Sequence, residues 1–155
     1  ISALAHTAEE IGDPAVRHMG TIGGSVANND PAADYPAAVL GLRATVKTTG
    51  RSITADDFFT GMFSTALEEG EIVTEIDFPI PVRAGYAKFP NPASRYAMVG
   101  VFVAKSDDGI RVVVTWAAAG VFRLSGMAAQ LAKNFHPDEL ASIRPFAVAC
   151  TSRIP

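Results

Sequence analysis

The sequence predicts an α+β fold, with helices first and an antiparallel sheet after them, and three observations carry that reading. The opening 42 residues hold two short apolar stretches at helical spacing, bounded by Gly, Asp and Pro. Residues 71–78 alternate side-chain character with period two, as a half-buried strand does. Tyr96 to Ala104 is a nearly continuous apolar run. It is joined through Asp107-Asp-Gly109 to Ile110–Trp116 and followed by apolar residues at helical spacing.

Taken in order, Ser2–Ile11 suits a short helix in which Leu4, Ala8 and Ile11 share one face, with His6 off that stripe and solvated; Gly12-Asp-Pro14 ends it. Tyr35–Leu42 reads as a second helix with Pro36 in its first turn, packing beneath the glycine-containing stretch that precedes it. Arg43–Thr49 alternates as a strand, Gly50-Arg51 turns, and Ser52–Thr54 forms a second short strand. Ala55–Gly61 is expected as a helical turn whose Asp56 and Asp57 suit the positive end of the helix dipole rather than acid–base chemistry.

The strand 71–78 should place Ile72, Thr74, Ile76 and Phe78 on one face; Val73 then interrupts an otherwise acidic opposite face. Pro79-Ile-Pro81 breaks the pattern and is expected to divide the chain into units at 1–79 and 82–155, with strands 71–78 and 110–116 in separate sheets. Gly85–Phe89 begins the second unit as a strand, and Asn91–Arg95 is a turn. After the hairpin, Leu124, Met127, Ala128, Leu131, Ala132 and Phe135 predict an amphipathic helix covering one sheet face. Pro137 with Asp138 and Glu139 predicts another helix start.

Composition narrows the function classes. With 48% hydrophobic and 19% charged residues, the 155-residue chain can bury a core and is not disordered in character. A net charge of −3 offers no basic footprint for nucleic acid. Three histidines and the single Cys150 form no zinc-binding spacing, so no metal site is expected. No apolar run reaches the ~18 residues of a membrane span, no signal peptide is visible, and a cytoplasmic location is expected.

The chemistry concentrates in Gly20-Thr-Ile-Gly-Gly-Ser-Val-Ala-Asn-Asn-Asp30-Pro-Ala-Ala-Asp34. Adjacent Gly23 and Gly24 permit positive φ and close approach of a ligand. Read as a loop with Thr21, Ser25, Asn28 and Asn29 around it, the segment could turn consecutive backbone N–H groups into one concavity, an anion site of the phosphate type. Asp30 and Asp34 would be repelled by phosphate. They fit better accepting from sugar or polyol hydroxyls, or capping the helix that begins near Pro31. Phosphate-cradling amides followed by a hydroxyl-binding carboxylate is the logic of a dinucleotide site, though G-x-G-x-x-G is absent.

The run from Val16 through Ala37, with its Thr-Ile-Gly-Gly core and Asp-Pro-Ala-Ala-Asp at fixed distance, resembles the second FAD-binding motif of the flavoprotein subunit of molybdenum hydroxylases. That family includes carbon monoxide dehydrogenase medium subunits and the FAD domain of xanthine dehydrogenase. The resemblance covers roughly residues 10–140. It is supported by Lys88, Ser94, Arg95 and Tyr96, departs at Arg17-His18, where the family commonly has Arg-Asn, and ends from Ser142 onward.

The resemblance implies a PCMH-type FAD-binding α/β subdomain followed by the flavoprotein C-terminal domain, truncated or atypical after about residue 141. Thr21, Ile22, Gly23, Gly24 and Ser25 would then meet the pyrophosphate, with Asn28 alongside. Asp34 would accept from ribityl or ribose hydroxyls, Val73 would give an aliphatic contact near the flavin (the alternative being edge packing), and Lys88 would approach the ring. Arg17 could contact phosphate or pack structurally. The implied activity is that of an oxidoreductase subunit relaying electrons from iron–sulfur clusters through FAD to an acceptor. Its implied partners are a molybdenum-cofactor large subunit and a 2Fe–2S small subunit. The cofactor carries the redox chemistry, so no catalytic acid, base or nucleophile is assigned.

Two other classes stay open: a cofactor-free interaction module, and a flavoenzyme of the same superfamily that oxidises substrate directly, for which His18 and Cys150 are the faint candidates. The chain starts at Ile1 and shows no upstream Gly-Gly motif of the kind the family carries. It is therefore expected to be a fragment that on its own holds FAD weakly or not at all. Gly24→Val is expected to abolish FAD retention and Asp34→Asn to be milder.

Overall fold

A computed structural model describes residues 1–133. The helix start expected at Pro137, Cys150 and the tail after Ser142 lie outside the described residues. The chain opens with α1 (Ser2–Glu9), α2 (Pro14–Met19), α3 (Ile22–Asn28) and α4 (Tyr35–Gly41). A first antiparallel sheet contains β1 (Thr45–Thr48), β2 (Ser52–Thr54) and, after a helical turn α5 (Ala55–Phe58) and the small hairpin β3 (Phe59–Gly61) and β4 (Ser64–Thr65), β5 (Val73–Asp77). Its order is β2-β1-β5. The second sheet, β6 (Arg83–Pro90), β7 (Ala97–Ser106), β8 (Gly109–Thr115) and β9 (Phe122–Arg123), is an antiparallel meander that leads into α6 (Ser125–Lys133) against β8.

The α+β class follows the sequence, while several local expectations change. α1 buries Ala3 and Thr7, the Thr7 hydroxyl bonding back to the Ala3 carbonyl at 2.8 Å. The expected Leu4–Ala8–Ile11 face is instead split, Leu4 resting on the core and Ala8 and Ile11 turning toward a cavity. Gly12-Asp13-Pro14 ends α1 and at once starts α2, a helix the sequence reading did not include. Asp13 caps it by accepting from the Ala15 amide at 2.8 Å, and Pro14 needs no N–H at the first helical position.

α4 is apolar all round and buried from Pro36 to Gly41, as a helix at the centre of a molecule must be. It packs beneath α3 as expected and also against β7 and β8, so its burial joins the N-terminal helices to the second sheet. A side chain at Gly41 would fall 2.6 Å from Cδ1 of the buried Phe102. The core therefore includes residues on both sides of Pro79–Pro81, Val46, Ile53 and Phe58 on one and Tyr86, Phe102 and Val113 on the other. Strands β5 and β8 lie in different sheets.

A bulge settles the odd position of Val73. Lys47 pairs with Glu75 but Thr48 pairs with Val73, so Thr74 is an extra residue on β5. A bulge exchanges the faces of the residues on either side of it. Val73 and Ile76, three apart, both pack on the core, and Ile72, expected on the buried face, is 64% exposed.

Candidate functional site

The glycine-containing segment is a helix start. Thr21 is the N-cap of α3, and its hydroxyl accepts from the Gly24 amide at 3.0 Å. Gly23 and Gly24 therefore lie inside α3 and are not among the positive-φ residues of the described chain. Their lack of a side chain serves close approach instead of a left-handed turn, which corrects the loop reading. A Cβ at Gly24 would press on Thr21 Oγ1 at 3.1 Å, and one at Gly23 would touch Val73 Cγ1 at 3.8 Å. The amides of Ile22 and Gly23 precede any intrahelical acceptor and bond to no group among the described residues.

α3 stops at Asn29, which takes a left-handed conformation with φ 46° and is buried. Its amide donates to the carbonyls of Gly61 at 2.7 Å and Ser64 at 2.8 Å, fixing the far end of α3 to the β3–β4 hairpin. Asp30 accepts from the Ala32 amide at 2.8 Å in a local turn, while Asp34, although at the N-cap of α4, makes no capping bond. Of the two roles open to these acids, only Asp30 takes the local backbone one.

α2, α3 and the start of α4 wall a cavity of about 570 Å³, within the size range of small-molecule sites. Thr21, Ile22, Gly24, Ser25, Asn28, Asp34 and Lys88 line it. Gly23 and Val73 do not; they meet each other where α3 packs on β5, which is the packing alternative for Val73. Arg17, Ser94 and Tyr96 also line the cavity, whereas Arg95, with φ 60°, lines a smaller groove beside Arg17. The Ser25 hydroxyl and Asn28 amide have no partner among the described residues, which leaves them available to a ligand.

The back of the cavity is a buried ionic cluster that sequence reasoning assembled only in part. Lys88 Nζ, on a side chain only 1% exposed, donates to Asp34 Oδ2 at 2.9 Å and to the Glu10 carbonyl at 2.7 Å. Tyr86, one β-strand repeat before Lys88, donates to Asp34 Oδ1. Lys88 is thus held inside a cluster and is not a free cation reaching into the cavity. Burial pushes the Asp34 carboxyl above its ordinary range, and the Tyr86 and Lys88 hydrogen bonds pull it back. Burial and the neighbouring Asp34 push the Tyr86 phenol up, so the hydroxyl keeps its proton and remains a donor. Tyr86 and the carbonyl of Glu10 carry no motif; the period-two spacing of Tyr86 and Lys88 along a strand was the available signal.

The donor set fits FAD. Open amides at a helix start and unpartnered hydroxyl and amide groups suit a pyrophosphate, a carboxylate with spare acceptor capacity suits a polyol, and the apolar side chains of Ile11, Ile22 and Tyr96 suit a ring.

Comparison with known proteins agrees with that chemistry. Residues 1–81 match the family described as the FAD binding domain in molybdopterin dehydrogenase. The chain is 36% identical over 141 residues to the glyceraldehyde dehydrogenase medium chain of Sulfolobus acidocaldarius, covering 86% of this chain and 50% of that one. It is 38% identical over 117 residues to the carbon monoxide dehydrogenase medium chain of Afipia carboxidovorans, covering 71% and 41% respectively. A solved structure of Cu,Mo-CO dehydrogenase superposes with a TM-score of 0.77 at 30% identity over 85% of this chain and 50% of its own. The chain thus spans about half the length of the relatives it matches. On the strength of the matched domain and these identities, the chain belongs to the FAD-binding flavoprotein family of the molybdenum hydroxylases.

Proposed function

We propose that this chain contributes the FAD site of an electron-relay subunit in a molybdenum hydroxylase, taking electrons from iron–sulfur clusters and delivering them to an acceptor. The observation that carries the reading is the one cavity that Thr21, Ile22, Gly24, Ser25 and Asn28 line together with Asp34 and Lys88. In it the α3 start, with the free amides of Ile22 and Gly23, would hold the pyrophosphate, and Asp34 would accept from sugar hydroxyls. FAD when bound supplies the exchange of electrons with the partner redox centres; the protein's part is to bind it, orient it and exclude water. Lys88 acts by holding Asp34 and contributing positive charge behind the cavity wall.

In this reading residues 1–79 form the second part of the FAD-binding domain and residues from 82 onward the flavoprotein C-terminal domain, the two meeting at the Asp34–Lys88 pair. The partners are a molybdenum-cofactor large subunit and a 2Fe–2S small subunit, in the cytoplasm. No described helix is long and apolar enough to cross a membrane.

The test is anaerobic reduction of the full-length protein purified with its partner subunits. Adding the substrate of the large subunit should bleach the flavin absorbance only when the 2Fe–2S subunit is present. Bleaching by substrate with the flavoprotein alone would favour direct oxidation at the flavin, and a complex without flavin would favour an interaction module.

A further inference from the structure

The cluster behind the cavity extends one residue beyond the set that the functional reading uses. Tyr86 is buried on β6, opposite Phe102 of β7, with ring centroids 6.3 Å apart. Its hydroxyl reaches Asp34 Oδ1 across a sequence separation of 52 residues. Room for that hydroxyl is made by Gly100 on the neighbouring strand. A Cβ at Gly100 would collide with the Tyr86 oxygen and would lie 2.8 Å from Thr115 Oγ1. The strand thus gives up a side chain where the phenol must pass.

Lys88 holds the other carboxylate oxygen, so the two oxygens of Asp34 are fixed by two residues of the same strand on the same face. Each oxygen keeps lone-pair capacity beyond its one partner, and Asp34 lines the cavity. We infer that Tyr86 is a positioning residue, which orients the Asp34 carboxylate so that its remaining lone pairs meet the hydroxyls of the cofactor. This inference rests on the FAD reading of the cavity, and its test separates the two.

Tyr86→Phe removes the hydroxyl and keeps the ring against Phe102, so the fold survives the change. Two quantities are measured on full-length protein. The first is the titration of the Asp34 carboxyl in the flavin-free protein, followed by carbon NMR with Asp labelling. The charged and titratable groups facing Asp34, besides Tyr86 itself, are Lys88 from β6, Glu10 beyond α1 and the neutral phenol of Tyr35 on α4, and none of these is altered. Losing a hydrogen bond to the charged form should move the titration to higher pH. The second is the FAD dissociation constant by flavin fluorescence, which should rise about tenfold, the scale of one hydrogen bond to a charged group.

An unmoved Asp34 titration would overturn the inference, since a phenol that only packs leaves the carboxyl unchanged. So would equal FAD affinity in the variant and a flavin-binding wild type. If wild type fails to bind FAD while the titration still moves, the FAD reading falls and the placement of Tyr86 on Asp34 stands.

Discussion

At the scale of single residues, the structure adds a stability cost to a substitution that the sequence reads as mild for cofactor retention. An amide at position 34 keeps an acceptor, so Asp34→Asn read from sequence is a mild change. In the fold Asp34 is 5% exposed and its partner Lys88 is 1% exposed. Removing the carboxylate charge leaves a buried ammonium without its paired charge, facing neutral acceptors such as the Glu10 carbonyl. Breaking a buried pair from one side costs about 3–5 kcal/mol. Asp34→Asn should therefore lower the melting temperature clearly, while Lys88→Met, which removes the stranded cation as well when combined with it, should restore part of the loss. Calorimetry of the single and double variants checks this; a single variant as stable as wild type would mean the pair carries no structural charge.

Titration supplies a second prediction at this scale. Hydrogen bonds from Arg51 and Thr48 and from the Glu68 amide hold the Glu71 carboxyl down at about 2, against an ordinary 4.5. A carboxyl depressed in the folded state contributes stability that is complete above its ordinary range and is lost as pH falls through its folded value. Wild type should then lose more thermal stability than Glu71→Gln between about pH 5 and pH 2. Parallel acid profiles for the two proteins would show that the Thr48–Arg51–Glu71 contacts are not coupled to folding.

At the scale of elements, what was legible depended on whether a local pattern survived packing. The β7–β8 hairpin was plain, because Asp107-Asp108-Gly109 supplies a turn and Gly109 takes φ 118°, a region open to glycine. The apolar run of β7 and the strand of β8 needed no tertiary information. Alternation locates β5 but assigns its faces wrongly, because the extra residue Thr74 is set by pairing with Lys47 and Thr48. Strict alternation read from one strand cannot contain a bulge that its neighbour creates. The glycine pair reads as a loop in the sequence because glycine tolerates positive φ and punctuates regular elements. The cap from Thr21 and the packing of Gly23 on Val73 outweigh that propensity. The residues of the cavity were largely legible through the Thr-Ile-Gly-Gly and Asp-Pro-Ala-Ala-Asp pattern. Tyr86 and Gly100 were not, since their roles arise only when β6 and β7 pair over α4.

At the scale of the whole molecule, the second sheet is tied to α4 and α5 by charged groups as well as by the apolar core. Arg111 on β8 is 6% exposed and donates to the Leu40 carbonyl of α4 at 2.9 Å and to both carboxylate oxygens of Asp56 on α5. Arg123 of β9 joins the same carboxylate at 3.1 Å. In the sequence Asp56 has a place at a helix start, and its larger task is to neutralise two arginines of the second sheet. Asp56→Ala would leave the Arg111 guanidinium short of its counter-charge inside the structure. The loss should be about 2–4 kcal/mol, below the value for a fully buried pair because Asp56 itself is 40% exposed. Thermal denaturation measures it, and a change within about 0.5 kcal/mol, as for ordinary surface sites, would place the pair among solvated contacts.

The FAD site proposed at the start of α3, on the cavity that Asp34 also lines, is tested by Gly24→Val in the full-length protein. A β-branched side chain at Gly24 would crowd Thr21 Oγ1, now 3.1 Å from the position of a Cβ, and extend its methyls into the helix start that lines the cavity. Flavin absorbance after gel filtration is compared between variant and wild type, with circular dichroism of both as the control for folding. Wild type should carry stoichiometric flavin and a folded Gly24→Val almost none. Equal flavin in the two folded proteins would remove α3 from the cofactor site and contradict the proposal.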